Sequence, residues 1–354
     1  MAARRWRRRL LVTVAGLVAA GSALWSIPAT RSRLKALGLV AEIAGVPFPR
    51  PWAPAVDVEE AEIAPGVVGD MYGTDEDAPP ILFVPGATRR GREDDRVVGA
   101  ARALAHAGRR VFVPELDLYD RVFRRSDIDR LVASLAALGR DRRVGVLGFS
   151  YGGSFAFVAA AHPSVADDVA FVATFGSYFD LANVIQGITT GSTTLDGETI
   201  AFATVPEAHD ILIDAAVGMA PRGDAGELAG ALRSHDPSHL PPGTRAFYDL
   251  LVNTDPGRSA ELVADLPQEI QETLHSFSPA SYASELAAPL FVMQARNDPA
   301  TPWTEAVLIE RSVPRSRLVM VDRFSHVDAP GLGGWLDDGP GAWSFASWIL
   351  EVQE

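Results

Sequence analysis

The chain has 354 residues, of which 47% are hydrophobic, with no cysteine and a formal net charge of −13. Without cysteine it forms no disulfide, no thiolate nucleophile and no cysteine-ligated zinc site. The acidity argues against a nucleic-acid partner, and the length suits one large domain or a domain carrying an insertion.

The amino terminus runs against the acidic trend. MAARRWRRR, with five arginines, precedes an uncharged apolar run over residues 10–27. As a helix this run spans about 27 Å, close to the hydrocarbon thickness of a bilayer. Trp25 falls near the far interface, where indole rings are favoured. Residues 1–30 therefore read as an uncleaved anchor, with the membrane as a partner. Five positive charges precede the run, and Arg31, Arg33 and Lys35 follow it. That asymmetry puts the N-terminus in the cytoplasm and the catalytic domain outside. Two readings compete: a signal peptide cleaved near GSA (residues 21–23), giving a secreted protein, and a buried helix of a cytosolic one.

Residues 31–55 read as a short helix and then a proline-rich linker, VPFPRPWAP. VDVEEAEIA alternates apolar and polar residues and suits an exposed first strand, with GVVGDMYG a weaker candidate for its hairpin partner. PPILFVPGA is an apolar run ending in Pro-Gly, the pattern of a buried strand feeding a loop. DDRVVGAARALAHAG follows as a helix closed by Gly108, and RRVFVPEL as a strand. SDIDRLVASLAALG is a helix with Ser126 as its N-cap, and RRVGVLGF is a strand. YGGSFAFVAAAH is an almost wholly apolar helix, and DVAFVATFGSY is another strand. This alternation implies a parallel sheet covered on both faces, with residues 56–180 as its first part. Residues 181–285 break the rhythm: their apolar stretches read as helices, no strand is evident, and the segment reads as an inserted helical cap. Residues 286–354 resume the core with the strands PLFVMQARND and RLVMVDRFSH, the helix PWTEAVLIERSV between them, and a closing helix, GAWSFASWILEVQE.

The chemistry centres on GFSYG, which lies between a buried strand and a tightly packed helix. Gly-x-Ser-x-Gly alone is a weak signal, but in that context it is much stronger. A sharp turn there strains Ser150 and lifts its hydroxyl above the sheet, while side chains at Gly148 and Gly152 would collide with the neighbouring strand and helix. A serine hydroxyl needs a base. His326, in FSHVD, follows an apolar strand in the loop where a parallel sheet presents its ligands. His106 and His162 sit near helix ends, and His209, His235, His239 and His275 lie in the cap. His235 and His239 have metal-ligand spacing, but Pro237 between them breaks the helix such a site needs, so no metal is expected. Asp298, in ARNDPATP, orients the histidine, with Asp180 and Asp328 as weaker candidates for that role and a turn-forming aspartate as the structural reading of Asp298. The amides of Tyr151 and, after FVPGA, Ala87 are the expected oxyanion donors.

These motifs, GFSYG, ARNDPATP, FSHVD and FVPGA in that chemistry, resemble the α/β-hydrolase superfamily over about residues 56–180 and 286–350. The resemblance implies a mostly parallel eight-stranded sheet, a Ser-His-Asp triad and no cofactor. Pro85 departs from the histidine that many members carry before the oxyanion glycine. Serine at the elbow argues against the epoxide hydrolases and dehalogenases of the superfamily, which use aspartate there.

The expected protein is a serine hydrolase acting on a small-molecule carboxylic ester through an acyl-enzyme. A thioesterase or peptidase with the same residues, or a non-catalytic binding protein of the same fold, are the alternatives. Phe202, Phe247 and Tyr248 line an acyl pocket or pack the cap's own core. Arg89, Arg90 and Arg92 either draw an acidic substrate or form a solvated loop.

Overall fold

The computed structural model describes residues 27–221, 223–328 and 333–352. Its centre is an eight-stranded sheet in the order β1-β2-β4-β3-β5-β6-β9-β10. The strands are β1 (Val58–Ala64), β2 (Val67–Tyr72), β3 (Pro80–Val84), β4 (Arg110–Pro114), β5 (Val144–Phe149), β6 (Val169–Phe175), β9 (Leu290–Ala295) and β10 (Ser316–Val321). β2 runs antiparallel to both β1 and β4, and every pair from β4 to β10 is parallel. The expected eight-stranded, mostly parallel α/β fold is therefore present. The chain leaves β3 for β4 on one side and then crosses to β5 on the other. The loops after β3 and β5 thus open a crevice at the carboxyl ends of the strands, where such sheets bind ligands.

Both faces of the sheet are covered, which is why its central strands read as unbroken apolar runs. On β6, Phe171, Ala173 and Phe175 point to one face and Val172 to the other. The first face carries α1 (Pro28–Ile43), α2 (Asp95–His106) and α12 (Trp335–Glu351). The second carries α3 (Arg125–Leu138), α4 (Ser150–Ala160) and α11 (Trp303–Ser312). α3 begins without the expected Ser126 cap: Arg124 holds the N-cap position and offers no side-chain bond. Asp127 instead turns inward and accepts the amides of Asp117 and Leu118 at 3.0 and 2.9 Å.

α1 lies on the core, packed against α12 and α2. Ala36, Leu39 and Val40 are buried there, Trp343 Nε1 donates to the Arg33 carbonyl at 3.0 Å, and His106 Nδ1 meets Glu42 at 2.8 Å. This bears on the membrane expectation, which is corrected. Among the described residues no helix is long and apolar enough to cross a membrane. α1 carries Arg31, Arg33, Lys35 and Glu42, and its apolar stripe is spent on α12 and α2. The expected anchor, residues 10–27, lies outside the described residues except for Ile27. The single-pass placement and the membrane partner do not stand.

β6 and β9 are neighbours in the sheet, so all the chain between them is an excursion from it. It contains α5 (Leu181–Thr190), a two-stranded ribbon of β7 (Ser192–Leu195) and β8 (Glu198–Ala201), then α6 (Pro206–Met219), α7 (Ala225–Ser234), α8 (Pro242–Leu251), α9 (Ser259–Ala264) and α10 (Gln268–Phe277). The ribbon overturns the expectation of no strand here. Its turn is Asp196-Gly197 with φ of 55° and 80°, the positive-φ pair that closes tight hairpins.

Candidate active site

Ser150 sits where β5 ends and α4 begins, with φ of +52°, a region that L-residues rarely occupy. The strain is held from several sides. Ser177 Oγ donates to the Ser150 carbonyl at 2.9 Å, and every residue of α4 is buried. A Cβ on Gly152 would land on the Pro85 carbonyl, so the loop after β3 can press against the start of α4 only if that position is glycine. Gly86 has the same role from the other side: a Cβ there would come within 2.8 Å of Ser150 Cβ.

Asp298 follows β9 and His326 follows β10, so three strand ends converge on one place. Asp298 is only 3% exposed. Its Oδ1 accepts the amides of Ala300 and Thr301 at 2.8 and 2.9 Å, and its Oδ2 meets Gln294 Nε2 at 3.0 Å and His326 Nδ1 at 2.7 Å. The carboxylate is thus held rigidly by its own loop and by β9. With Nδ1–H given to Asp298, Nε2 is left as the basic nitrogen of the imidazole. His326 itself occupies a tight turn with φ of +56°, closed by paired backbone bonds between Ser325 and Asp328 at 3.2 and 3.0 Å. The approach to that turn is clamped by Asp338 in the first turns of α12. Its carboxylate accepts the amides of Asp322, Arg323 and Phe324 at 2.8, 2.7 and 3.1 Å.

Ser150 and His326 line one pocket of roughly 260 Å³, together with Gly86, Ala87 and Tyr151. Ala208 and Ile211 of α6 also line it. α6 is tied to the core by Arg121, which pairs with Glu207 at 3.0 Å, and by Arg89, which pairs with Asp214 at 3.2 Å. The Tyr151 ring points away into the core, edge-on to Phe123, and burial pushes its phenol well up.

Of the other sequence candidates, Asp328 lines the same pocket but is paired with Arg96, and the rest lie outside it. Asp180 caps α5 by accepting the amide of Ala182 at 2.8 Å, and Asp328 receives Arg96 at 2.7 Å. Arg89, Arg90 and Arg92 are paired with acids of this chain, Arg90 with Asp95 and Arg92 with Asp70, Glu60 and Glu115. Arg89 and Arg90 keep exposed side chains in these pairs, as the solvated-loop reading expects, while Arg92 is mostly buried among its three acids. Phe202, Phe247 and Tyr248 are buried within the hydrophobic core and do not line the pocket of Ser150.

Four residues escaped the sequence reading: Ser177, Gln294, Glu305 and Asp338. Glu305 is wholly buried in α11. Its Oε2 accepts the amides of Phe179 and Asp180 at 2.9 and 2.8 Å, and its Oε1 accepts Asn183 Nδ2 at 3.2 Å. Burial pushes its carboxyl up to about 7. Ser177, Glu305 and Asp338 act on backbone groups of other segments, and Gln294 acts on the side chain of Asp298 four residues on, a contact no recognised motif announces.

Solved structures to which this chain is similar include a membrane phospholipase A (18% identity, TM-score 0.47, covering 97% of this chain and 99% of that one). An esterase from Pyrococcus furiosus is 15% identical at a TM-score of 0.46, covering 84% and 91%. A dienelactone hydrolase from Anabaena variabilis ATCC 29413 is 16% identical at 0.43, covering 84% and 96%. No curated protein matches the chain in sequence. The family model described as alpha/beta hydrolase fold matches residues 79–329, a span that takes in the loop after β3, the β5–α4 elbow and the loops bearing Asp298 and His326. The chain therefore belongs to the α/β-hydrolase fold family and is a hydrolase of that fold.

Proposed function

We propose that the protein cleaves a carboxylic ester through an acyl-enzyme on Ser150. The observation that carries this reading is the 2.7 Å bond between His326 Nδ1 and Asp298, with His326 and the strained Ser150 on the same pocket. In this mechanism Ser150 Oγ attacks the ester carbonyl as His326 Nε2 takes its proton. Asp298 holds the tautomer and stabilises the imidazolium. The amides of Tyr151, at the positive end of α4, and of Ala87 receive the oxyanion. His326 then protonates the departing alkoxide, and water activated by the same nitrogen releases the acid. No metal or cofactor takes part.

The test is Ser150→Ala. Hydrolysis of p-nitrophenyl acetate should fall about 10⁶-fold, and labelling by a fluorophosphonate probe should vanish, with the circular dichroism spectrum unchanged. Labelling that persists in the folded variant would move the nucleophile elsewhere.

A further inference from the structure

A second cavity of roughly 440 Å³ lies on the first face of the sheet, beside the pocket of Ser150. Its walls are almost entirely hydrocarbon, including Leu39 and Val40 of α1, Ala100 of α2, Met293 of β9, and Phe345 and Ile349 of α12. The volume falls within the range of small-molecule sites. A void of this kind forfeits dispersion contacts along its walls and offers water few partners, so a hydrocarbon is its natural occupant.

The cavity adjoins the proposed reaction centre. Phe149, Val327 and Arg96 line both spaces. Phe149 immediately precedes Ser150 and Val327 immediately follows His326, so the shared wall is built from the neighbours of the reacting residues. Leu147 and Phe175 continue the lining down the sheet face below Phe149. At its other side the lining turns polar, with Glu42, Asp95 and Arg102. α1 supplies part of the wall, which gives this helix a purpose beyond packing.

We propose that this cavity holds the aliphatic chain of a long acyl group whose carbonyl lies at Ser150. The inference rests on the ester-hydrolase reading above. The acyl group is the part of an ester that stays bonded to Ser150, next to Phe149, whereas the alcohol departs with the proton from His326. Each methylene buried in the cavity should raise kcat/KM by up to about fourfold until the cavity is full.

Gly99 offers a way to obstruct the cavity. It lies on α2 in the lining, and a Cβ there would meet nothing within 4 Å. Gly99 is exposed, so it stands at the outer rim of the cavity, and a large side chain there is accommodated without forcing the backbone and can fold across the opening. The experiment measures kcat/KM of the full chain for p-nitrophenyl esters from acetate to dodecanoate, and binding of sodium dodecanoate by calorimetry, in the wild type and in Gly99→Trp. The expected result is a wild-type rate constant that climbs with acyl length, a dodecanoate-to-acetate ratio at least about tenfold lower in Gly99→Trp, and weakened dodecanoate binding in that variant. Gly99→Leu, with less bulk, should be intermediate, and it replaces the tryptophan variant should that one misfold. A ratio unchanged by both substitutions, or a rate that follows the length of the alcohol instead of the acid, would overturn the inference and leave the ester-hydrolase reading standing. If no ester of any length is cleaved, the ester-hydrolase reading is what fails, and dodecanoate binding alone then decides the cavity's occupant. Failure of dodecanoate to bind the full chain would likewise overturn the inference.

Discussion

Asp298 divides its two oxygens between two tasks. Oδ1 is committed to the amides of Ala300 and Thr301, and Oδ2 faces His326 Nδ1. In Asp298→Asn the amide oxygen keeps the backbone bonds, which directs the NH₂ at the imidazole and at Gln294, whose amide must flip to accept from it. Nδ1 must then accept, Nε2 carries the proton, and the base is lost without loss of the loop. Turnover should fall on the order of 10⁴-fold while the fold persists. Asp180→Asn leaves a competent N-cap on α5 and should change turnover by less than about threefold. Steady-state kinetics on both variants checks the pair, and a larger loss at Asp180 would reverse the assignment. Ser150, Asp298 and His326 were legible one at a time because each follows its own apolar strand within a few residues. The preference for Asp298 over Asp180 and Asp328 was legible from its place just past the strand before the histidine's, whereas the contact itself joins residues 28 apart and no local window contains it.

At the scale of elements, the turn carrying His326 depends on α12. Asp338 gathers three successive amides and so sets where β10 hands over to that turn. Removing the carboxylate leaves buried donors unpaired and lets the turn shift, and a displacement of about 1 Å near the reacting atoms costs on the order of 10²-fold in rate. Asp338→Ala should therefore lower kcat by about 10–100-fold with little change in KM, and labelling by a fluorophosphonate should slow by a similar factor. A purely structural role would lower the folded fraction and leave the kcat of the remaining active molecules intact, so active-site titration separates the two. The ribbon of β7 and β8 teaches a different lesson. Its Asp196-Gly197 turn is a recognisable hairpin signal, overshadowed by the helical periodicity around it. Ser126 misleads in the opposite direction: it has the chemistry of a cap, but the cap position falls two residues earlier, at Arg124, and Asp127 is drawn inward by the amides of Asp117 and Leu118.

Across the whole molecule, Glu305 joins the second part of the sheet to the start of the excursion, through bonds to residues 125 and 126 positions away. Its carboxyl is raised by burial from 4.5 to about 7, so in the folded protein the neutral form is favoured relative to the unfolded chain. The stability this contributes is complete below about pH 4.5 and is lost as pH rises through about 7, a change of about 3 kcal/mol. Asp127, raised to about 6 by burial, acts with the same sign, so the contribution of Glu305 is isolated by substitution. In Glu305→Gln the amide oxygen can keep the two backbone bonds, and a flipped Asn183 amide can accept from the new NH₂. The variant should lose most of that pH dependence, so that its unfolding free energy in urea falls less between pH 5 and pH 8 than that of the wild type. An identical slope in both proteins would remove Glu305 as the cause.

What the sequence by itself determined was whatever a short window contains. Buried strands declare themselves as apolar runs, and a Gly-flanked serine between such a strand and an apolar helix declares a strained elbow. A histidine and an aspartate just past two later strands complete the pattern, because a parallel sheet brings those ends to one edge. Tertiary structure alone decided the matters that need two distant segments at once. These are the laying of α1 on α12, the cavity that α1 helps to enclose, the pairing of Arg89, Arg90 and Arg92 with acids of the same chain, and the burial of Glu305 and Asp338 under backbone amides. Each depends on a solvent-excluded contact between parts of the chain far apart in sequence, and neither partner's local pattern encodes the other.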